Sequence, residues 1–222
     1  MKKENSIKIA EKTINLYYIP IYMMFSVFIY RMIFTFKELF NSEQIYVFCL
    51  DMITRATDVI FVLFVAIVIK KINLQEIGIK KVNIKYVVIS FPIVVIYAVI
   101  VAYIRGIHLD IVFLFDIHRI VFHGWPISYL YYVITPAIAE ELLFRFFFIK
   151  VLQNIIPKYF CVILQAMIFG LLHTGGLLNV QCAQQILLGL ILGYAYVRTN
   201  NLSYPVIFHT MLNYIALVAT VR

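Results

Sequence analysis

What most restricts this chain is a recurrence of apolar runs long enough to cross a bilayer. They cover about Ile14–Phe36, Ile45–Ile69, Tyr86–Ile104, Ile127–Ile149, Val180–Val197 and Tyr204–Val221, with a shorter one at Tyr159–Leu172. A hydrocarbon core takes roughly 20 apolar residues in helical form, because each residue advances only about 1.5 Å. Hydrophobic residues make up 64% of the chain and charged ones 14%, whereas a soluble domain holds about half and a quarter. The expected fold class is therefore all-α, a polytopic transmembrane helix bundle. We read residues 1–222 as a single membrane domain, with N-terminal spans and an interfacial segment over 1–126 and a core over 127–221.

Basic residues set the orientation. Lys2, Lys3, Lys8 and Lys12 precede the first run, and five lysines lie between 70 and 85. With seven spans and a cytoplasmic N-terminus, twelve Lys and Arg fall inside, four outside and three within spans, the asymmetry that orients membrane helices. Gly106–Trp125 complicates the count, because its apolar run Ile111–Phe122 is too short to span and carries Asp116, His118 and Arg119. Read as an interfacial or re-entrant helix, it preserves seven spans; read as an eighth, it moves three basic residues outside. The expectation is seven or eight spans in the cell membrane, with the bilayer itself as a partner. The net charge of +8 does not point to nucleic acid, since no basic stripe with interleaved aromatics is present. The first apolar run lacks a small-residue cleavage site and reads as a retained span. Cys49, Cys161 and Cys182 share no ligand-like spacing and read as small buried hydrophobes.

Within the fourth run stands Ala139-Glu140-Glu141-Leu142-Leu143-Phe144-Arg145. Each charge near a bilayer centre costs roughly 2.5–3.5 kcal/mol, so three cost on the order of 8–10. Glu141 and Arg145 are four apart in the favoured acid-before-base order and can pair. Glu140 is rotated about 100° away and is left without that arginine. The second run also carries charges, Asp51, Arg55 and Asp58, of which Asp51 and Arg55 read as a structural pair near an interface. Two further polar pieces lie on later runs. Phe169 and His173 are four apart, as are His209 and Asn213, while Gly189 and Gly193 form a small-xxx-small pattern that lets helices approach closely.

Each piece has a plain structural use: an ion-pair clamp, an interfacial histidine, hydrogen-bond glue between helices. Their co-occurrence in three late spans is what suggests chemistry. A carboxylate and an imidazole can share a water and remove its proton, and a second imidazole with a carboxamide can donate to a developing oxyanion. Together these are the requirements of amide hydrolysis. The same Glu140, His173 and His209 could instead ligate a catalytic zinc with an open position, so the residues themselves leave the metal question open. Neither an HExxH nor a GxSxG motif is present.

EExxxR, FxxxH and HxxxN, in this order in a small membrane protein, resemble the CPBP family. Its members are the CAAX proteases and bacteriocin-processing enzymes, also called Abi proteins, which include the type II CAAX prenyl endopeptidases. The resemblance covers about Ile127–Ile215. It implies an intramembrane protease in which Glu140 and His173 activate water, His209 and Asn213 stabilise the oxyanion, and Glu141 and Arg145 organise the site beside Phe169. It favours a glutamate mechanism without cofactor over a zinc one. The substrate would be a peptide or protein in or at the membrane, and richness in Ile, Lys, Asn, Phe and Tyr suggests a low-GC bacterium. Two rival functions use the same residues: a non-catalytic immunity or scaffold protein that binds a peptide, and a proton-coupled transporter. One expectation conflicts with a shared site. Counted at about 1.5 Å per residue from the cytoplasmic side, His209 lies about 8 Å deep, Glu140 about 15 Å and His173 about 22 Å.

Overall fold

The computed structural model describes residues 16–35, 37, 43–106 and 130–220. The basic segment 1–12, and the expected interfacial helix apart from Gly106 at its start, lie outside these residues. Nine α-helices are described: α1 Tyr18–Thr35, α2 Glu43–Leu63, α3 Leu74–Ile77, α4 Ile84–Arg105, α5 Thr135–Glu140, α6 Ile149–Leu152, α7 Lys158–Leu172, α8 Val180–Thr199 and α9 Ser203–Thr220. Three π-helical segments adjoin them. Phe64–Ile69 extends α2, while Leu130–Ile134 and Glu141–Phe148 alternate with α5 and α6, so that 130–152 is helical throughout. No strand occurs among the described residues.

Four helices have the length and apolarity to cross a membrane: Tyr18–Thr35, Tyr46–Ile69, Ile84–Arg105 and Val180–Thr199. That is fewer than the seven or eight spans expected. The other three expected spans are helical too, but differ in kind. The run 130–152 carries Glu140, Glu141 and Arg145 and breaks into α and π parts. Helix α7 has only 15 residues and α9 has 18.

The burial pattern is inverted relative to a soluble protein. Met24, Phe28 and Tyr103 are 74%, 63% and 86% exposed, whereas every side chain of Glu141–Phe148 is buried. An apolar exterior around a charged interior suits a chain whose solvent is lipid.

Two features fix the frame that carries the polar residues. Helices α7 and α8 meet along small residues, where a Cβ on Gly189 would lie 2.9 Å from the Ala166 Cα. The Gln165 amide crosses that seam and donates to the Gly189 carbonyl at 2.9 Å. The second feature is the linker between α2 and α4. Asn73 and Glu76 cap α3 reciprocally, and Gly78 turns the chain at φ 102°. Leu202 N–H then donates to the Gly78 carbonyl at 2.7 Å, while the Ser203 hydroxyl and Asn201 amide donate to the carbonyls of Lys80 and Lys81. This clasp anchors the start of α9, the helix that bears His209.

Candidate active site

Glu140 closes α5 and Glu141 opens the π-helical segment, a helix form that recurs at functional sites. Glu141 and Arg145 are fully buried, with Arg145 Nε 2.9 Å from Glu141 Oε2. The expected pair therefore forms. The contact is a charge contact without the alignment of a hydrogen bond, and the Arg145 Nη atoms also lack hydrogen-bond partners among the described residues. The guanidinium carbon instead sits 4.5 Å above the Phe169 ring, a cation–π contact of the desolvated, stronger kind.

Glu141 has a second partner. Its Oε1 accepts from His209 Nδ1 at 2.9 Å, across 68 residues of sequence. A proton on Nδ1 turns the opposite nitrogen, Nε2, toward Glu140 Oε2 at 3.8 Å. His173 is arranged in the same sense. Its Nδ1 donates to the Phe169 carbonyl at 2.8 Å, and because a carbonyl only accepts, the proton resides there. In the neutral ring Nε2 is then a lone pair, and it faces Glu140 Oε2 at 3.4 Å. Two acceptors thus converge at a distance that suits a shared water. Phe169 is central to this geometry, its carbonyl orienting His173 and its ring lying 4.2 Å from that imidazole and 6.2 Å from that of His209.

These contacts remove the conflict in depth. Counting had left the three groups about 7 Å apart in level, on the premise that helices start flush and stand upright. Helix α7 begins where expected, but α9 is anchored by the clasp on Gly78, and the contacts of His173 and His209 with Glu140 bring the three groups to one level. Asn213 stands one turn beyond His209, and its amide donates to the Val133 carbonyl at 3.3 Å. The site is graded in access, with side-chain exposures of 29% at His173, 21% at Glu140 and 5% at His209.

Sequence reasoning missed Arg55. Its bond to Asp51 is present at 2.8 Å, but its Nη1 also lies 3.6 Å from Glu140 Oε1. Glu140 lacks Arg145 and has this arginine instead. The signal was available in the chain, since Asp51, Arg55 and Asp58 repeat at helical spacing in an apolar run and face the same energetic objection as Glu140. Asp58 accepts from the Tyr22 hydroxyl at 2.7 Å. Beside Arg55, a groove of about 320 Å³ opens between α2 and α5, lined by Met52, Ala56, Val59, Ile138 and Ala139 among others.

Among the described residues, no group of three or more His, Cys, Asp and Glu side chains is arranged to hold a metal ion.

The family model for type II CAAX prenyl endopeptidases, Rce1-like, matches residues 122–215. Residues 122–215 are thus similar to this family. All seven expected site residues, from Glu140 to Asn213, fall inside the match, whereas Arg55 falls outside it. No curated protein and no solved structure matches the chain. The match agrees with the resemblance carried by the three motifs. With its long apolar helices, the chain is a multi-pass membrane protein.

Proposed function

We propose that this protein is an intramembrane endopeptidase that cleaves a membrane-associated peptide or protein with a water activated by Glu140 and His173. The observation that carries the reading is the convergence of Glu140 Oε2 and the His173 Nε2 lone pair, 3.4 Å apart in a site walled by apolar helices. Water bridging them donates one proton to each acceptor, which turns its own lone pair outward. As the water attacks the carbonyl carbon of the scissile bond, Glu140 takes up a proton, and it later returns that proton to the departing amine nitrogen. The products are an amine and a carboxylic acid, whose remaining proton passes to the His173 Nε2 lone pair and on to solvent.

The oxyanion falls to His209 and Asn213. With Nδ1–H engaged by Glu141, His209 donates from Nε2 when it carries both protons. The Asn213 amide has a second N–H beyond the one directed at Val133. Glu141 and Arg145 hold His209 in register. The charge of Arg55 beside Glu140 supports a mechanism without a metal, and no step here passes through one. The apolar groove between α2 and α5 admits the hydrophobic flank of the substrate from the bilayer side. The run 130–152, α7 and α9 cross with the four longer helices, giving seven spans with the N-terminus in the cytoplasm.

The test is incubation of purified protein in proteoliposomes with a mixture of lipidated and unlipidated peptides, with new N-termini read by mass spectrometry. Wild-type protein is expected to generate discrete cuts, and Glu140→Gln to reduce their rate by roughly 10²–10⁴-fold. Retention of peptide binding without any cut in wild-type protein would replace this reading with a sequestering protein.

A further inference from the structure

We infer that Arg55, on a helix outside the matched Rce1-like region, is the positioning residue that orients the Glu140 carboxylate toward the two imidazoles. The catalytic consequence rests on the protease reading above; the contact itself does not.

A glutamate carboxylate turns about a terminal torsion that is broad and two-fold, so packing of the stem alone does not decide which oxygen faces which neighbour. Here the two oxygens have different surroundings. Oε2 faces His173 and His209, while Oε1 faces Arg55 Nη1 at 3.6 Å. The cation on one side removes the two-fold ambiguity and holds the carboxylate plane. Arg55 is itself held, because its Nε donates to Asp51 Oδ2 at 2.8 Å, one turn earlier on α2. Asp58, one turn later, is tied to Tyr22 of α1, so the face of α2 turned toward α5 is braced at both ends.

The nature of the contact separates positioning from clamping. An arginine that closes short, paired hydrogen bonds on a carboxylate ties down both of its oxygens. Arg55 reserves its directed bond for Asp51, and Nη1 meets Glu140 by charge alone, with no hydrogen bond of its own. The catalytic oxygen is thus steered by a field and remains free to exchange a proton. An acid–base group needs this combination, and here the guanidinium lies on the Oε1 side and leaves the Oε2 lone pairs to the water.

The experiment uses full-length protein in detergent, labelled with ¹³C-glutamate, and infrared difference spectra in which Glu140→Gln identifies the Glu140 carboxylate band. Arg55→Gln is expected to move that band, Arg55→Lys to return it toward the wild-type position, and Asp51→Asn to move it part of the way. In parallel, on a peptide that wild-type protein cleaves, Arg55→Gln is expected to lower kcat roughly 10- to 100-fold with KM within about twofold. A Glu140 band unmoved in folded Arg55→Gln, or a kcat equal to wild type, overturns the inference. Should Arg55→Gln fail to fold, Arg55→Lys and Asp51→Asn decide by the same two readouts. If wild-type protein cuts nothing, the protease reading fails, while the band shift alone still decides whether Arg55 holds Glu140.

Discussion

Removing the Arg145 charge should destabilise the protein, and removing both Arg145 and its partner should restore stability without restoring activity. Glu141 and Arg145 are fully buried, 2.9 Å apart. At an effective dielectric near 20 their attraction is about 6 kcal/mol, and breaking such a buried pair from one side costs about 3–5 kcal/mol, because the remaining charge has no solvent. Arg145→Met therefore leaves Glu141 with His209 alone and should lose stability in that range. Glu141→Gln combined with Arg145→Met removes both charges while keeping volume, and buried pairs replaced in this way are often neutral or better. The double variant should recover most of the loss. It should still be inactive, because a neutral amide at 141 leaves His209 without the negative charge that balances it when both ring nitrogens carry protons. Thermal unfolding in detergent can be followed with a thiol-reactive dye, since Cys161 and Cys182 are buried free thiols. A double variant as unstable as Arg145→Met would refute the charge argument, and a fully active one would refute the role given to Glu141.

Three further outcomes follow from the geometry. Asn213→Ala should lower kcat roughly 10²–10³-fold with little change in KM, the signature of a lost oxyanion donor, measured on any peptide that wild-type protein cleaves. Gly189→Leu should cost at least the 1–3 kcal/mol typical of overpacking, because a Cβ there already meets the Ala166 backbone at 2.9 Å; the dye assay reads the loss. Treatment with a strong chelator followed by metal analysis should leave cleavage unchanged, and loss of activity that added zinc restores would overturn the proposed metal-free mechanism.

Much of the architecture was legible because lipid imposes simple rules. An apolar run of some 20 residues must be helical to satisfy its backbone, and charges inside it must face protein, so the helical runs and the polar residues worth examining could be read directly. The Glu141–Arg145 pair followed from spacing along one helix face, and Gly189 was correctly marked as a point of close approach. The number of spans was less legible, because hydropathy does not distinguish a full crossing from a 15-residue helix such as α7.

From its residue order alone the chain specifies helices in a membrane, the identity of its polar side chains and their membership of three ordered motifs, since all three depend on local composition and spacing. Only tertiary structure brings His173 and His209 each within 4 Å of Glu140, because helix offsets and tilts arise from contacts such as the clasp of Leu202 on Gly78. Tertiary structure also assigned Arg55 to Glu140: an arginine whose intrahelical partner is obvious gives no sign, in one dimension, of a second partner on another helix.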